Sequence, residues 1–126
     1  MSETVLDKFG RIDVLINNAA IFSTLAMQPF DQIPLEQWDK VLRVNTTGPV
    51  SARARWRRPC AGRGGGPIIN IATTSVAAVT PNYLHYVTSK SALFGMTNSL
   101  ARELGKEGIT VNCLVPGPAL RRRTCL

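Results

Sequence analysis

The chain has 126 residues, room for one small domain with its own core and not for two. Its composition, 44% hydrophobic and 18% charged, is that of a globular protein; no apolar run approaches the roughly 20 residues of a membrane span. Met1 leads into the polar SETVLDKFGR and not into an apolar signal segment, so the cytoplasm is the expected location.

SETVLDKFGR reads as the tail of a helix. Residues 12–18, IDVLINN, form a short apolar run with β-branched members that ends at NNAA, the pattern of a strand buried on both faces. A polar loop with Pro29 and Pro34 follows, and from Leu35 the spacing of Leu35, Trp38, Val41, Leu42 and Val44 predicts an amphipathic helix over LEQWDKVLRVNTTG. After a glycine tract, IINIA at 68–72 reads as a second buried strand. From about Tyr83 to Leu104 a long helix carries Tyr86, Leu93, Met96, Leu100 and Leu104 on or near one face, and it should stop at Gly105 beside Lys106. ITVNCLV at 109–115 is the third strand, closed by Pro116-Gly117.

Strand, helix, strand, helix, strand implies parallel pairing and a three-layer α/β sheet. Ligands of such sheets sit outside the carboxyl ends of the strands. Those ends are NNAA, ATTS and VPGP, and Tyr86 opens a helix on the same side.

The net charge of +7 is concentrated. Arg53, Arg55, Arg57, Arg58 and Arg63 occupy one acid-free stretch and Arg121, Arg122 and Arg123 another; elsewhere 7 bases face 8 acids. Residues 51–66 are therefore an anomalous Arg/Gly-rich segment where an apolar helix surface is expected. If Arg57 uses a CGN codon, reading one nucleotide earlier permits an apolar helix from residue 51 onward, so the segment is expected to be translated in a shifted frame, and PALRRRTCL with it. The three cysteines, Cys60, Cys113 and Cys125, form no CxxC and suit a reducing compartment, and no metal site is expected. GRGGG at 62–66 precedes a strand and so reads as a turn, not a phosphate loop.

NNAA, the pair Val44-Asn45, IINIA followed by hydroxyl residues, YVTSK, LARELGKEGITVN and the final Pro-Gly occur in the order and spacing of the short-chain dehydrogenase/reductase family, which this chain resembles over nearly its whole length. The resemblance implies an α/β fold, a partial Rossmann-type doubly wound parallel sheet of three strands and two main helices. It also implies a nicotinamide cofactor, NAD or NADP, and an alcohol or carbonyl substrate. Tyr86 matches the family's general acid/base and Lys90 its partner. One helical turn separates them, and a unit charge about 5 Å away at an effective dielectric of about 20 contributes roughly 3 kcal/mol, enough to bring the phenol toward working pH. Thr73 falls where the family has a substrate-binding serine, with Thr74 or Ser75 as alternatives if the loop is shifted. Asn45 matches the asparagine that ties the lysine to a water chain. Asn18, Ala19, Pro116 and Gly117, with Tyr86 and Lys90, match cofactor-contacting positions, and Ala20 replaces a glycine. His85, beside Tyr86, is expected to be a bystander.

The family's Gly-rich strand, turn and helix do not appear within residues 1–126, so the chain is expected to be a single partial dinucleotide-binding domain, about the central half of one. The first strand would then be an exposed edge prone to self-association, and homo-oligomers are expected. Two other readings stay open: a non-catalytic remnant that associates with intact subunits, and an Arg-rich nucleic-acid-binding module, although neither nucleic acid nor membrane is an expected partner.

Overall fold

The computed structural model of the chain describes residues 2–52 and 66–117. Most of the Arg/Gly-rich segment and all of the PALRRRTCL tail lie outside the described residues, as do Cys60 and Cys125; Cys113 is a free thiol.

Helix α1 (Ser2–Phe9) ends at Gly10, whose φ of 69° is the left-handed conformation that glycine adopts without strain, and the Gly10 amide donates to Leu6 O at 2.7 Å. Strand β1 (Leu15–Asn17) is shorter than the 12–18 run suggested. Its ladder to β2 (Ile68–Ile71) starts at Leu15↔Ile68, and the residue before Ile68 is Pro67, which has no N–H to extend the pairing. Helix α2 (Leu35–Leu42) runs into a π-helical turn at Arg43–Thr47, so the expected uniform helix is interrupted at Asn45. Helix α3 (Leu84–Leu104) has the expected bounds. Its stop is arranged differently: Gly105 stays right-handed, a 3-10 turn covers Gly105–Glu107, and Gly108 at φ 74° makes the reversal into β3 (Val111–Leu114).

The three strands are parallel in the order β1-β2-β3, with Ile68↔Val111 and Asn70↔Cys113 in register. Ile68, Leu104, Ile109 and Val111 form the buried core, packed by Ile12, Leu15, Leu100 and Ala101; it lies between the carboxyl half of α3 and one sheet face. Helix α3 packs on β2 and β3, and α2 packs on α3. Ile16 and Leu114 alternate with the inward residues and remain 58% and 57% exposed, so the sheet face away from α2 and α3 is open at these positions. The reason is topological. Strands added in one direction through crossovers of one hand place every crossover helix on the same side of a sheet.

The buried face of α3 is more polar than its apolar spacing suggested: His85, Ser89, Lys90 and Thr97 are buried beside Tyr86 and Leu93, whereas Met96 is only partly so. Asn70, fully buried in the middle of β2, is satisfied by a ladder across three elements. Asn17 Nδ2 donates to Asn70 Oδ1 (2.8 Å), Asn70 Nδ2 to Thr97 Oγ1 (2.9 Å), and Thr97 Oγ1 to Leu93 O (2.6 Å). A buried amide left unpaired costs about 1–3 kcal/mol, so the ladder holds β1, β2 and α3 in one relation just below the strand ends. Among the described residues no helix is long and apolar enough to cross a membrane.

Candidate active site

The chain leaves each strand at the same edge of the sheet, and there the three strand ends and the start of α3 enclose a cavity of about 760 Å³. Its wall takes Asn18 and Ala20 from the end of β1, Ile71 to Ser75 from the end of β2, Pro116 and Gly117 from the end of β3, and Tyr86 and Lys90 from α3. The helical period explains the last two, since positions four apart stand one above the other on one face.

Lys90 is 3% exposed, and its Nζ donates to Ile71 O at 2.7 Å. Burial pushes the ammonium below its ordinary value, and Cys113 works in the other direction. A buried charge needs such an acceptor, and the carbonyl at the last position of β2 supplies it. Tyr86 is buried, and its side chain lines the cavity together with Thr73. Burial raises the phenol above the usual tyrosine value; the Thr73 contact lowers it, and the neighbouring Tyr83 adds to the rise. This corrects the expectation of an acidified tyrosine. In the chain alone desolvation outweighs the stabilising contacts, and the Lys90 ammonium, engaged by Ile71 O, is not among the contributions.

Thr73 Oγ1 accepts from the Ser75 amide and donates to Ser75 Oγ, both at 3.2 Å. All three hydroxyl candidates on this loop line the cavity, and Thr73 is the one that bears on the Tyr86 phenol, lowering it. The Thr74 amide donates to Pro116 O at 3.1 Å, which fixes the β2 and β3 ends relative to one another. Ala19 lies between two lining residues and is exposed without lining the cavity.

Asn45 is 1% exposed and stands behind the wall. Its Oδ1 accepts from the Ile21 amide (2.8 Å), and its Nδ2 is placed to donate to Ile21 O (3.2 Å) and to Ser89 Oγ (3.0 Å). Ser89 Oγ in turn donates to Tyr86 O at 2.8 Å. Asn45 lies in the π-helical turn, and its bonds join the loop at Ile21 to α3 at Ser89. His85, expected to be a bystander, is fully buried, and among the described residues neither ring nitrogen has a hydrogen-bond partner. Burial lowers its ordinary value; a backbone group of Tyr83 works weakly the other way without reaching bonding geometry.

Sequence reasoning missed Phe22, Ser23, Ala78 and Thr80, which complete the wall. The one available signal was an aromatic residue closely following a strand end that carries ligand-facing positions.

A parallel α/β sheet with a cavity at its carboxyl edge is the arrangement of Rossmann-type proteins. Residues 1–123 match the family model described as enoyl-(acyl carrier protein) reductase. The chain is 39% identical over 117 residues to an uncharacterized oxidoreductase of Thermotoga maritima, covering 93% of this chain and 44% of the relative. Among solved structures it superposes on an NAD+-bound xylitol dehydrogenase with a TM-score of 0.83 at 32% identity, covering 91% of this chain and 44% of that one. A gluconate 5-dehydrogenase of Burkholderia cenocepacia in complex with NADP and tartrate gives 0.83 at 29% identity, covering 92% and 44%. The chain belongs to the short-chain dehydrogenase/reductase family. It spans a little under half the length of these relatives.

Proposed function

We propose that this chain carries the proton-transfer part of an NAD(P)-dependent oxidoreductase site that interconverts a small-molecule alcohol and its carbonyl compound. The observation that carries the reading is the convergence of Tyr86, Thr73 and Lys90 on one cavity at the carboxyl ends of three parallel strands. The donor set also suits a nicotinamide ribose. Among the described residues Lys90 spends one N–H on Ile71 O, which leaves two donors for ribose hydroxyls, and Asn18 and the Pro116-Gly117 backbone line the wall where a carboxamide would pack. Asn18, Ala19, Tyr86, Lys90, Pro116 and Gly117 are the proposed cofactor contacts, and the bound cofactor, NAD or NADP, would carry the hydride. Relatives solved with NAD+ and with NADP support either form.

Tyr86 is the proposed general acid/base at the substrate oxygen, and Thr73 the hydroxyl that shares that oxygen. With its phenol raised above the ordinary value, Tyr86 stands protonated at neutral pH, the state needed to donate to an alkoxide forming on a carbonyl. Running the reaction toward the ketone requires Tyr86 to lose its proton, which the positive charge of an oxidised cofactor would favour. Asn45 positions the loop and helix that flank these groups.

The test is NADH or NADPH oxidation with a panel of small ketones and aldehydes. Tyr86→Phe removes the proton and should lower kcat by about 10²- to 10⁴-fold with the fold retained. Turnover that survives the substitution overturns the reading. A second reading, a non-catalytic chain that associates with longer family members, is favoured by the exposure of Ile16 and Leu114. It calls for mixed oligomers whose formation ignores Tyr86.

A further inference from the structure

Phe22 is an aromatic cavity residue that the proton-transfer reading does not use. Its ring centroid lies 4.8 Å from that of Tyr86, tilted by 38°, and 6.0 Å from that of Tyr83, edge to face. Tyr83 in turn meets Tyr86 at 5.5 Å, and its hydroxyl donates to Leu25 O at 3.1 Å, tying the start of α3 to the loop that carries Phe22. The residue before Phe22 is held from the other side, because Asn45 bonds both the amide and the carbonyl of Ile21. An aromatic ring fixed by two ring contacts and two backbone tethers would ordinarily be buried. Phe22 is instead 50% exposed, and its free side opens onto the cavity next to Ser23, Ala78 and Thr80.

We propose that Phe22 is the specificity-determining wall of this site: its ring, held against Tyr86, receives a flat, uncharged apolar substituent on the carbon that bears the reacting oxygen. The inference rests on the reading of Tyr86 given above, which fixes where that oxygen sits. Charge narrows the substituent. Of the described residues that line the cavity Lys90 is the one cation; it stands at the strand end with one N–H on Ile71 O, and the reading above gives its other two donors to the ribose. No arginine or lysine stands beside Phe22 in that lining to pair with a carboxylate. Shape narrows it further, because offset or tilted stacking favours a planar partner. Covering the open half of such a ring, roughly 80 Å² of apolar surface, corresponds to a preference of about 30-fold.

The experiment compares acetophenone with acetoacetate as probes, by reduction with NADH and NADPH and by saturation-transfer NMR on the chain, which needs no turnover. Wild type, Phe22→Ala, Phe22→Leu and Tyr86→Phe are measured, with circular dichroism to confirm folding. Acetophenone should receive saturation and acetoacetate should not. Phe22→Ala should reduce the acetophenone preference by about 30-fold, chiefly through KM or Kd; Phe22→Leu, apolar but not flat, should fall between. A preference unchanged in folded Phe22→Ala or Phe22→Leu, a preference for acetoacetate, or no saturation of acetophenone overturns the proposal. If Tyr86→Phe keeps its turnover while the Phe22 variants shift binding, the proton-transfer reading fails and the wall stands. The opposite pattern sinks the wall alone.

Discussion

His85 shows how a single buried group sets a pH limit on this fold. Burial holds its folded value below that of the unfolded chain, so the unfolded state binds the extra proton first and stability must fall as pH drops through about 6.5. It is the only histidine in the sequence, which makes the effect assignable. The urea midpoint should decrease from pH 7.5 to pH 5.5, and His85→Leu should flatten that slope. Because neither ring nitrogen is hydrogen-bonded, the leucine variant should be neutral or more stable at pH 7.5, where a buried unpaired polar group costs about 1–3 kcal/mol. A wild-type midpoint equal at both pH values contradicts the assignment. At the same scale, the sequence correctly placed Tyr86 and Lys90 on one helix face, since helical period depends on nothing distant. It was wrong about the electrostatics of Tyr86, whose value follows burial by residues far away in the chain.

Among the elements, the π-helical turn at Arg43–Thr47 does the work that the sequence assigned to an uninterrupted helix. From this turn Asn45 reaches the Ile21 backbone and Ser89, joining the loop after β1 to α3. Removing that amide strands a donor and an acceptor of the loop. Asn45→Ala should therefore cost about 1–3 kcal/mol in urea unfolding. Asn45→Asp, which would bury a carboxylate against the Ile21 carbonyl, should lose at least as much. If Asn45→Ala unfolds at the wild-type urea concentration, the tether is not what holds the loop. The strands were legible as apolar runs with β-branched residues. The partner of Asn70 was not, because Thr97 lies 27 residues away and only the packing of α3 brings it to β2.

For the whole molecule, the decisive feature is that both crossover helices lie on one side of the sheet. Ile16 and Leu114 on the other side, and the outer edge of β1 among the described residues, offer apolar surface and backbone groups to another chain. Self-association that grows with concentration should appear in sedimentation velocity. Ile16→Lys, a charge on that edge strand, should shift the distribution toward monomer and leave circular dichroism unchanged. Identical distributions for the two proteins would show that association, if present, uses another surface.

The sequence by itself determined the order of elements, their parallel pairing, the family and the residues at each strand end, because periodicity, turn chemistry and motif spacing are local properties written in consecutive positions. Tertiary structure alone decided that Phe22 stacks on Tyr86, that Asn45 grips Ile21, that His85 is sealed without a partner and that Lys90 bonds a strand carbonyl. Each of these joins parts of the chain whose meeting depends on how helices and strands pack, and packing distance is not encoded in the spacing of residues along the chain.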